Sequence, residues 1–295
     1  MQKTALILSF TLLLLFPATA NPQADPTSRS WNQPVKPYRI VGAVWYVGAS
    51  GVISFLIATS KGHILLDSGL PETAPQIKQN VAQLGFKLKD IKILLNSHAH
   101  YDHAGGLAEL KELTGAKLMA TEADAELLAR GGKGDFQWGD QLPYKPVKAD
   151  RVLRDGDQVE LGEVALTARL TPGHTKGSTT WTMKAHDGGK QYDVIFATSV
   201  SAPGYRLVRN DKYPRIAEDY ARTFQILKSL PCDVFLGPHA EFFSMMEKIK
   251  RLEQGAAPNP FIDPAGYREY VVNGEKAFQE MVETQTQEQK KGPGR

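Results

Sequence analysis

The sequence predicts an α/β fold of four layers, an αββα sandwich in which two β-sheets pack face to face with helices outside each. Two observations carry this. Strand-like and helix-like segments come in two successive series, strands and helices and then strands and helices again, and no sequence repeat of fixed period accompanies them. The apolar runs in both series are too numerous for one exposed sheet, and a two-sheet sandwich with outer helices would bury all of them. The two series therefore read as similar halves of one domain, assigned to residues 37–285.

The elements follow in order. Residues 40–47, 52–58 and 62–67 are strand-like and separated by Gly and Ser clusters. A helix is predicted next, with Ile77, Val81 and Leu84 on one face and Gly85 closing it. Ile91–Leu95 is a short, apolar strand that runs into a loop at 97–106. Leu107, Leu110 and Leu113 mark a helix, 116–120 a strand and Glu122–Ala129 another helix. Residues 131–148 are rich in Gly and Pro without periodicity, and loops of that length tend to serve function. Val164, Leu166, Ala168 and Leu170 then alternate with Ala165, Thr167 and Arg169, the period of a strand. Strands at 179–183 and 194–197 follow, then a helix carrying Tyr220, Phe224 and Leu227, a buried strand at 233–236, and two C-terminal helical stretches. Residues 286–295 read as a polar, disordered tail.

The N-terminus carries a different message. Lys3, an apolar run over 5–16 and the small-residue sequence Pro17-Ala18-Thr19-Ala20 predict a cleaved secretory signal over 1–20 and a periplasmic or secreted destination. Residues 21–36 read as an extended, Pro-rich lead-in. The apolar run is too short to span a bilayer, and no later stretch approaches that length, so no stable membrane insertion is expected after signal removal. Net charge is +3, or +2 without Lys3, and no Lys/Arg block stands out, which removes the electrostatic case for nucleic acid. Cys232 is the single cysteine, so an internal disulfide is excluded and core burial must hold the fold together. It lies in the apolar run 230–236 and reads as a buried small side chain.

Chemistry is concentrated at one place. Of seven histidines, three fall in the six residues His98-Ala99-His100-Tyr101-Asp102-His103, directly after an apolar strand. His98 and His100 are two apart and in extended backbone point the same way, whereas Asp102 and His103 diverge. One loop can thus aim two imidazoles at one metal and a carboxylate with an imidazole at another, a donor set that suits zinc. Gly105-Gly106 is expected to let the backbone turn into the helix. His174 and His239 each follow a strand and a Pro/Gly turn and can converge on the same rim, whereas His63 and His186 have no such setting. No G-x-S-x-G elbow and no Gly-rich phosphate loop competes.

The run H-x-H-x-D-H resembles the signature of the metallo-β-lactamase superfamily, and further landmarks occur in order: Asp67, the Pro-Gly-His ending at His174, the segment 197–199 and His239. Many hydrolases of that superfamily, among them thioesterases and lactonases, carry a bridging aspartate near the segment that here reads Phe196-Ala197-Thr198-Ser199 and lacks a carboxylate. β-Lactamases of the first two subclasses carry cysteine there, and the second also replaces the first histidine. His98 and Ser199 together are similar to the third subclass of class B, subclass B3. The resemblance implies a zinc-dependent β-lactamase with two zinc ions and a small-molecule β-lactam substrate. His98, His100 and His174 would hold the first ion, and Asp102, His103 and His239 the second. Ser199 and Ser201 would hydrogen-bond a water and the substrate carboxylate. Asp67 is either the carboxylate that orients a ligand or a turn residue before Gly69, and Trp45, Tyr46 and Trp138 are either pocket walls or packing. Two departures stand out: Thr198 where several relatives have Asp, and a disulfide near Cys232 that this chain cannot form. The alternatives are a lactone or thioester hydrolase of the same fold, a di-iron oxidoreductase, for whose flavin domain the chain has no room, and a non-catalytic zinc-binding protein.

Overall fold

A computed structural model describes residues 26–291; the signal segment read over 1–20 and the first residues of the lead-in lie outside them. Among the described residues twelve strands form two sheets. The first contains β1 (Tyr38–Val41), β2 (Val44–Tyr46), β3 (Phe55–Thr59), β4 (Gly62–Leu66), β5 (Ile91–Leu95), β6 (Lys117–Thr121) and β7 (Arg151–Leu153) in that spatial order. Its first four strands are antiparallel neighbours, and β4 to β7 run parallel. The second sheet has the order β12-β11-β10-β9-β8, from β8 (Gln158–Leu161), β9 (Val164–Leu170), β10 (Thr179–Asp187), β11 (Lys190–Phe196) and β12 (Val234–Leu236).

Alternation within each strand decides which layer a side chain enters. In β3 and β4, Phe55, Ile57, Ile64 and Leu66 face the core between the sheets, while Leu56 and Leu65 face the helices α2 (Ala74–Gln83), α4 (Leu107–Thr114) and α5 (Glu122–Ala129). From the second sheet Leu166, Ala168, Trp181 and Met183 enter the same central core. Its outer side is covered by α6 (Ile216–Ser229) and α8 (Pro264–Lys291), through Tyr220, Phe224, Leu227 and Tyr267. Trp181 is wholly buried and donates its indole N–H to the Asn96 carbonyl at 3.1 Å, so a core side chain also fixes the end of β5. Truncating it to alanine would open a cavity costing about 3–5 kcal/mol.

Several expectations are corrected. The stretch 40–47 is not one strand but the hairpin β1–β2, turned at Gly42. β7 and β8, short and polar at alternate positions, were not foreseen. The lead-in is not extended throughout: Pro26–Trp31 is the helix α1, and the Trp31 carbonyl accepts the Gly51 N–H at 2.8 Å. Residues 286–291 are not a disordered tail but the last turns of α8, because the Gln285 amide bonds Tyr205, Leu207 and Val208 backbone and the Gln289 amide donates to the Val208 carbonyl. Cys232 is only partly buried, lying before β12 and not within it. Among the described residues no helix is long and apolar enough to cross a membrane.

Candidate metal centre

The expected donors sit at the C-terminal ends of strands from both sheets. β5 ends at Leu95, and His98 and His100 follow in the loop; His100 has extended backbone and caps the single turn α3 (Tyr101–Ala104) that carries Asp102 and His103. His174 follows β9 and His239 follows β12. Gly173 before His174 has φ +139°, and a Cβ there would meet the Tyr220 ring at 2.8 Å, so glycine alone allows that turn against α6. Gly105 and Gly106, by contrast, have ordinary helical backbone. They are needed for space, since a Cβ on Gly105 would lie 2.4 Å from Pro71 and one on Gly106 2.9 Å from the Ser68 carbonyl.

The structure brings all six residues together. One ligand atom each from His98, His100 and His174 lies within 4.8 Å of the other two, and the same holds for His98, Asp102 and His103. His239 joins the second group: its Nε2 is 3.3 Å from Asp102 Oδ2 and 3.3 Å from His103 Nε2, with Asp102 Oδ2 3.5 Å from His103 Nε2. His98 borders both groups, its ring 4.0 Å from that of His103 and 4.7 Å from that of His174.

Hydrogen bonds behind three of the rings fix which nitrogen faces inward. His174 Nδ1 lies 2.7 Å from the Ser201 carbonyl, so it carries the proton and Nε2 offers a lone pair. His103 Nδ1 lies 3.2 Å from Asp67 Oδ2, with the same result. Ser97 Oγ donates to Asp67 Oδ2 at 2.6 Å and so accepts from His98 Nδ1 at 3.1 Å, which leaves His98 Nε2 inward and without a partner. His100 is reversed: its Nε2 faces Asp135 Oδ2 at 3.6 Å, and its Nδ1 points at His174 Nε2, 3.1 Å away. His100 Nδ1 facing the His174 lone pair at this distance, beside the unpartnered Nε2 of His98, fits a cation held among the three. The donors, imidazoles and one carboxylate, suit zinc.

Electrostatics agree with that reading. Burial, then the charges of the other histidines, drives His98 well below the usual imidazole range; burial and the charge of His100 bring His174 down to about 3. Both imidazoles are neutral at neutral pH. Burial would raise Asp102, but His103 and His239 outweigh it and hold its carboxyl well below the usual carboxylate range. His103 is pushed down by burial and up, more strongly, by Asp102 and Asp67.

Asp67 lies behind the site. It is wholly buried at φ +59°, and its carboxylate takes bonds from Asn96 Nδ2, the Ser97 N–H, the Ser97 hydroxyl and His103. Ser199 is buried and Ser201 exposed, with their hydroxyls 2.9 Å apart beside His174. Trp45 and Tyr46 do not reach the centre: Trp45 packs edge-on to Phe86, and the Tyr46 hydroxyl donates to the Ala49 carbonyl. Trp138 donates its backbone N–H to Asp135, the carboxylate facing His100. His63 is buried against Phe86 and His186 pairs with Gln191, both outside the centre.

Three contributors escape the sequence reading. Asp135 belongs to the 131–148 loop, whose length was the one available signal. Asp124 receives the Ala99 N–H at 2.9 Å, the Thr175 hydroxyl at 3.0 Å and the Gly177 N–H at 3.1 Å, tying the His98–His100 loop to the His174 loop. Burial lifts it to about 6 against those bonds. An aspartate on a helix face carries no sign of such a task. Trp31 sets its ring 4.9 Å from that of His239, which also lies 5.6 Å from Phe242, and it comes from a segment read as mere lead-in.

Comparison with known proteins agrees with the geometry. The metallo-beta-lactamase superfamily model matches residues 47–239. A metallo-β-lactamase of Cronobacter sakazakii with a HARLDQ motif superposes with a TM-score of 0.85 at 43% identity, over 88% of this chain and 99% of that one. BJP-1, a subclass B3 metallo-β-lactamase of Bradyrhizobium japonicum, does so with 0.82 at 41%, over 88% and 97%. The class B3 di-zinc enzyme LRA-12 from an Alaskan soil metagenome gives 0.81 at 39%, over 90% and 98%. Curated relatives match over less of their length: a probable metallo-hydrolase of Burkholderia pseudomallei is 28% identical over 54% of each chain, and a hydroxyacylglutathione hydrolase of Rhodospirillum rubrum 32% over 36% of this chain and 34% of its own. With the family model covering most of the sequence and the solved relatives aligned almost end to end, the chain belongs to the metallo-β-lactamase superfamily.

Proposed function

We propose that this protein is an exported, zinc-dependent β-lactamase with two zinc ions, one held by His98, His100 and His174 and the other by Asp102, His103 and His239. The observation that carries the reading is the rim itself: six inward donors, with Ser199 and Ser201 beside them and no carboxylate in the segment 196–199. Its likeness to subclass B3 enzymes over nearly their full length supports the substrate class. The residues at 1–20 support export.

When bound, zinc supplies Lewis acidity at the lactam carbonyl and lowers the pKa of a water from 15.7 to about 7. The chain's own groups do the rest. The Ser201 hydroxyl, exposed and 2.9 Å from Ser199 Oγ, offers a donor to the substrate carboxylate. Its carbonyl is pinned by His174 Nδ1 and by the Tyr220 hydroxyl, each at 2.7 Å, so substrate donor and metal-facing imidazole move as one unit. Asp102 keeps part of its carboxylate exposed beside His103 and His239 and is placed to accept a hydrogen bond from the attacking water.

The test is a panel of a penicillin, a cephalosporin, a carbapenem, a lactone and a glutathione thioester, each with and without a chelator. Metal content of the active protein is measured alongside. Chelator-sensitive ring opening of the three β-lactams, with close to two zinc ions per chain, is expected. Turnover of the thioester or lactone alone would replace this reading with the activity that the curated relatives suggest.

A further inference from the structure

We infer that the cavity between α8 and the segment 200–202 selects the substituent on the substrate ring carbon next to its carboxylate, and that it takes an apolar, aromatic group with a neutral or cationic end. This rests on the β-lactam reading above. The cavity measures about 580 Å³, within the range of small-molecule sites, and is walled by Phe235, Phe242, Phe243, Tyr270, Phe278 and Met281. It adjoins the metal centre on two sides. Ser201 lines it, and the Phe242 ring is 5.6 Å from that of His239. The Tyr270 hydroxyl donates to the Thr198 carbonyl at 2.8 Å and receives the Val200 N–H at 3.2 Å, so one wall of the cavity holds the backbone that carries Ser199.

Ring connectivity gives the cavity its occupant. A carboxylate held at Ser199 and Ser201 leaves the neighbouring ring carbon beside Ser201 and the cavity it lines. In cephalosporins and carbapenems that carbon bears the variable substituent; in penicillins the corresponding position carries only methyl groups. The charged residues lining the cavity are both acids. Asp263 is paired with Lys248 at 2.7 Å, while Glu269 is exposed, so an anionic substituent is disfavoured and a cation modestly favoured.

The test fills the cavity from its solvent side. Asn273 and Ala277 are exposed on α8 and line the cavity, whose lining includes no donor of the metal centre. Asn273→Trp and Ala277→Trp are compared with wild type on three cephalosporins that differ only in this group (methyl, phenylthiomethyl, pyridiniummethyl) and on one penicillin. A tenfold or greater fall in kcat/KM for the two aromatic substrates is expected, carried by KM, with the methyl cephalosporin and the penicillin within twofold. Glu269→Gln should raise KM two- to threefold for the pyridinium compound alone. An equal loss on all four substrates, or none in either Trp variant, overturns the inference. Should wild type open none of the four, it is the β-lactamase reading that fails. The cavity is then judged by titrating N-benzylpyridinium into the protein: binding weakened in both Trp variants supports the pocket, and equal or absent binding overturns it.

Discussion

Asp67→Asn is the sharpest probe of how the centre is built. Asparagine has nearly the same shape and tolerates the left-handed backbone at φ +59°, so the substitution changes hydrogen bonding and charge but not geometry. The carboxylate accepts four bonds, and its neighbours leave little freedom. If the new amide nitrogen takes the place of Oδ2, it faces His103 Nδ1 at 3.2 Å. His103 must then move its proton to Nε2, the atom that faces Asp102 and His239, and can no longer donate a lone pair there. If the amide is turned round, the nitrogen instead opposes the Ser97 N–H at 2.7 Å and Asn96 Nδ2 at 3.2 Å. Leaving a buried donor unsatisfied costs about 1–3 kcal/mol. Removing the partner of a ligating imidazole weakens metal binding by about 10–100-fold, which is about 1.4–2.8 kcal/mol. Zinc affinity is measured by competition with a chromophoric chelator, and urea unfolding of the metal-free protein is followed in parallel. A folded variant whose zinc affinity stays within twofold of wild type would refute the claim that Asp67 sets the His103 tautomer.

Three further outcomes follow from the same structure. Trp31→Ala removes the ring against His239 and should lower zinc content from two per chain towards one, the ion at His239 being lost first; mass spectrometry under native conditions reads this directly. Stripping metal should lower the melting temperature, since a ligand at about 1,000 times its Kd contributes about 4 kcal/mol. For a domain this large that corresponds to a shift of about 10 °C, and coincident melts with and without chelator would contradict a metal linking the two halves. Asp263→Asn keeps the cap on the Gly266 N–H but leaves the buried Lys248 amine without its countercharge, a loss of about 2 kcal/mol at neutral pH. Burial raises the Asp263 pKa, and Lys248 more than offsets this, holding it below its ordinary value. The contribution is thus complete above about pH 4, the unfolded value. It is lost as pH falls through the lowered folded value, so the gap in urea midpoints between wild type and variant should be wide at pH 7 and narrow below pH 4.

What could be read in the sequence depended on whether a segment's task is local. Ile91–Leu95, Glu122–Ala129 and Val164–Leu170 were bounded correctly because burial imposes periodicity on consecutive residues. The six donors were legible for a similar reason: His98 to His103 are contiguous, and His174 and His239 follow apolar runs and turn residues. β7 and β8 were missed because three or four residues, half of them exposed, carry no usable pattern. Asp124, Asp135 and Trp31 were missed because each acts on a residue far along the chain, over separations of 25 to Ala99, 35 to His100 and 208 to His239. Gly105 shows a subtler limit, where the sequence marks the residue but not the reason for it. Turn chemistry suggested backbone freedom; the fold needs room beside Pro71.

The fold alone does not make this centre. The Cronobacter sakazakii metallo-β-lactamase superposes with a TM-score of 0.85 although its motif reads HARLDQ where this chain reads His98-Ala99-His100-Tyr101-Asp102-His103. A backbone that accommodates both motifs does not by itself fix which side chains stand at the rim. In this chain the demand for metal comes from the layer behind the donors. Asp67 and Asp135 are buried acids that face ring nitrogens of His103 and His100, and the inward nitrogens of those rings crowd those of His239 and His174 at 3.3 and 3.1 Å. Buried carboxylates and crowded ring nitrogens are costly in a metal-free core. A sequence that keeps both, at the ends of strands from two sheets, gives up good packing at a place where a cation would turn each unfavourable contact into a bond.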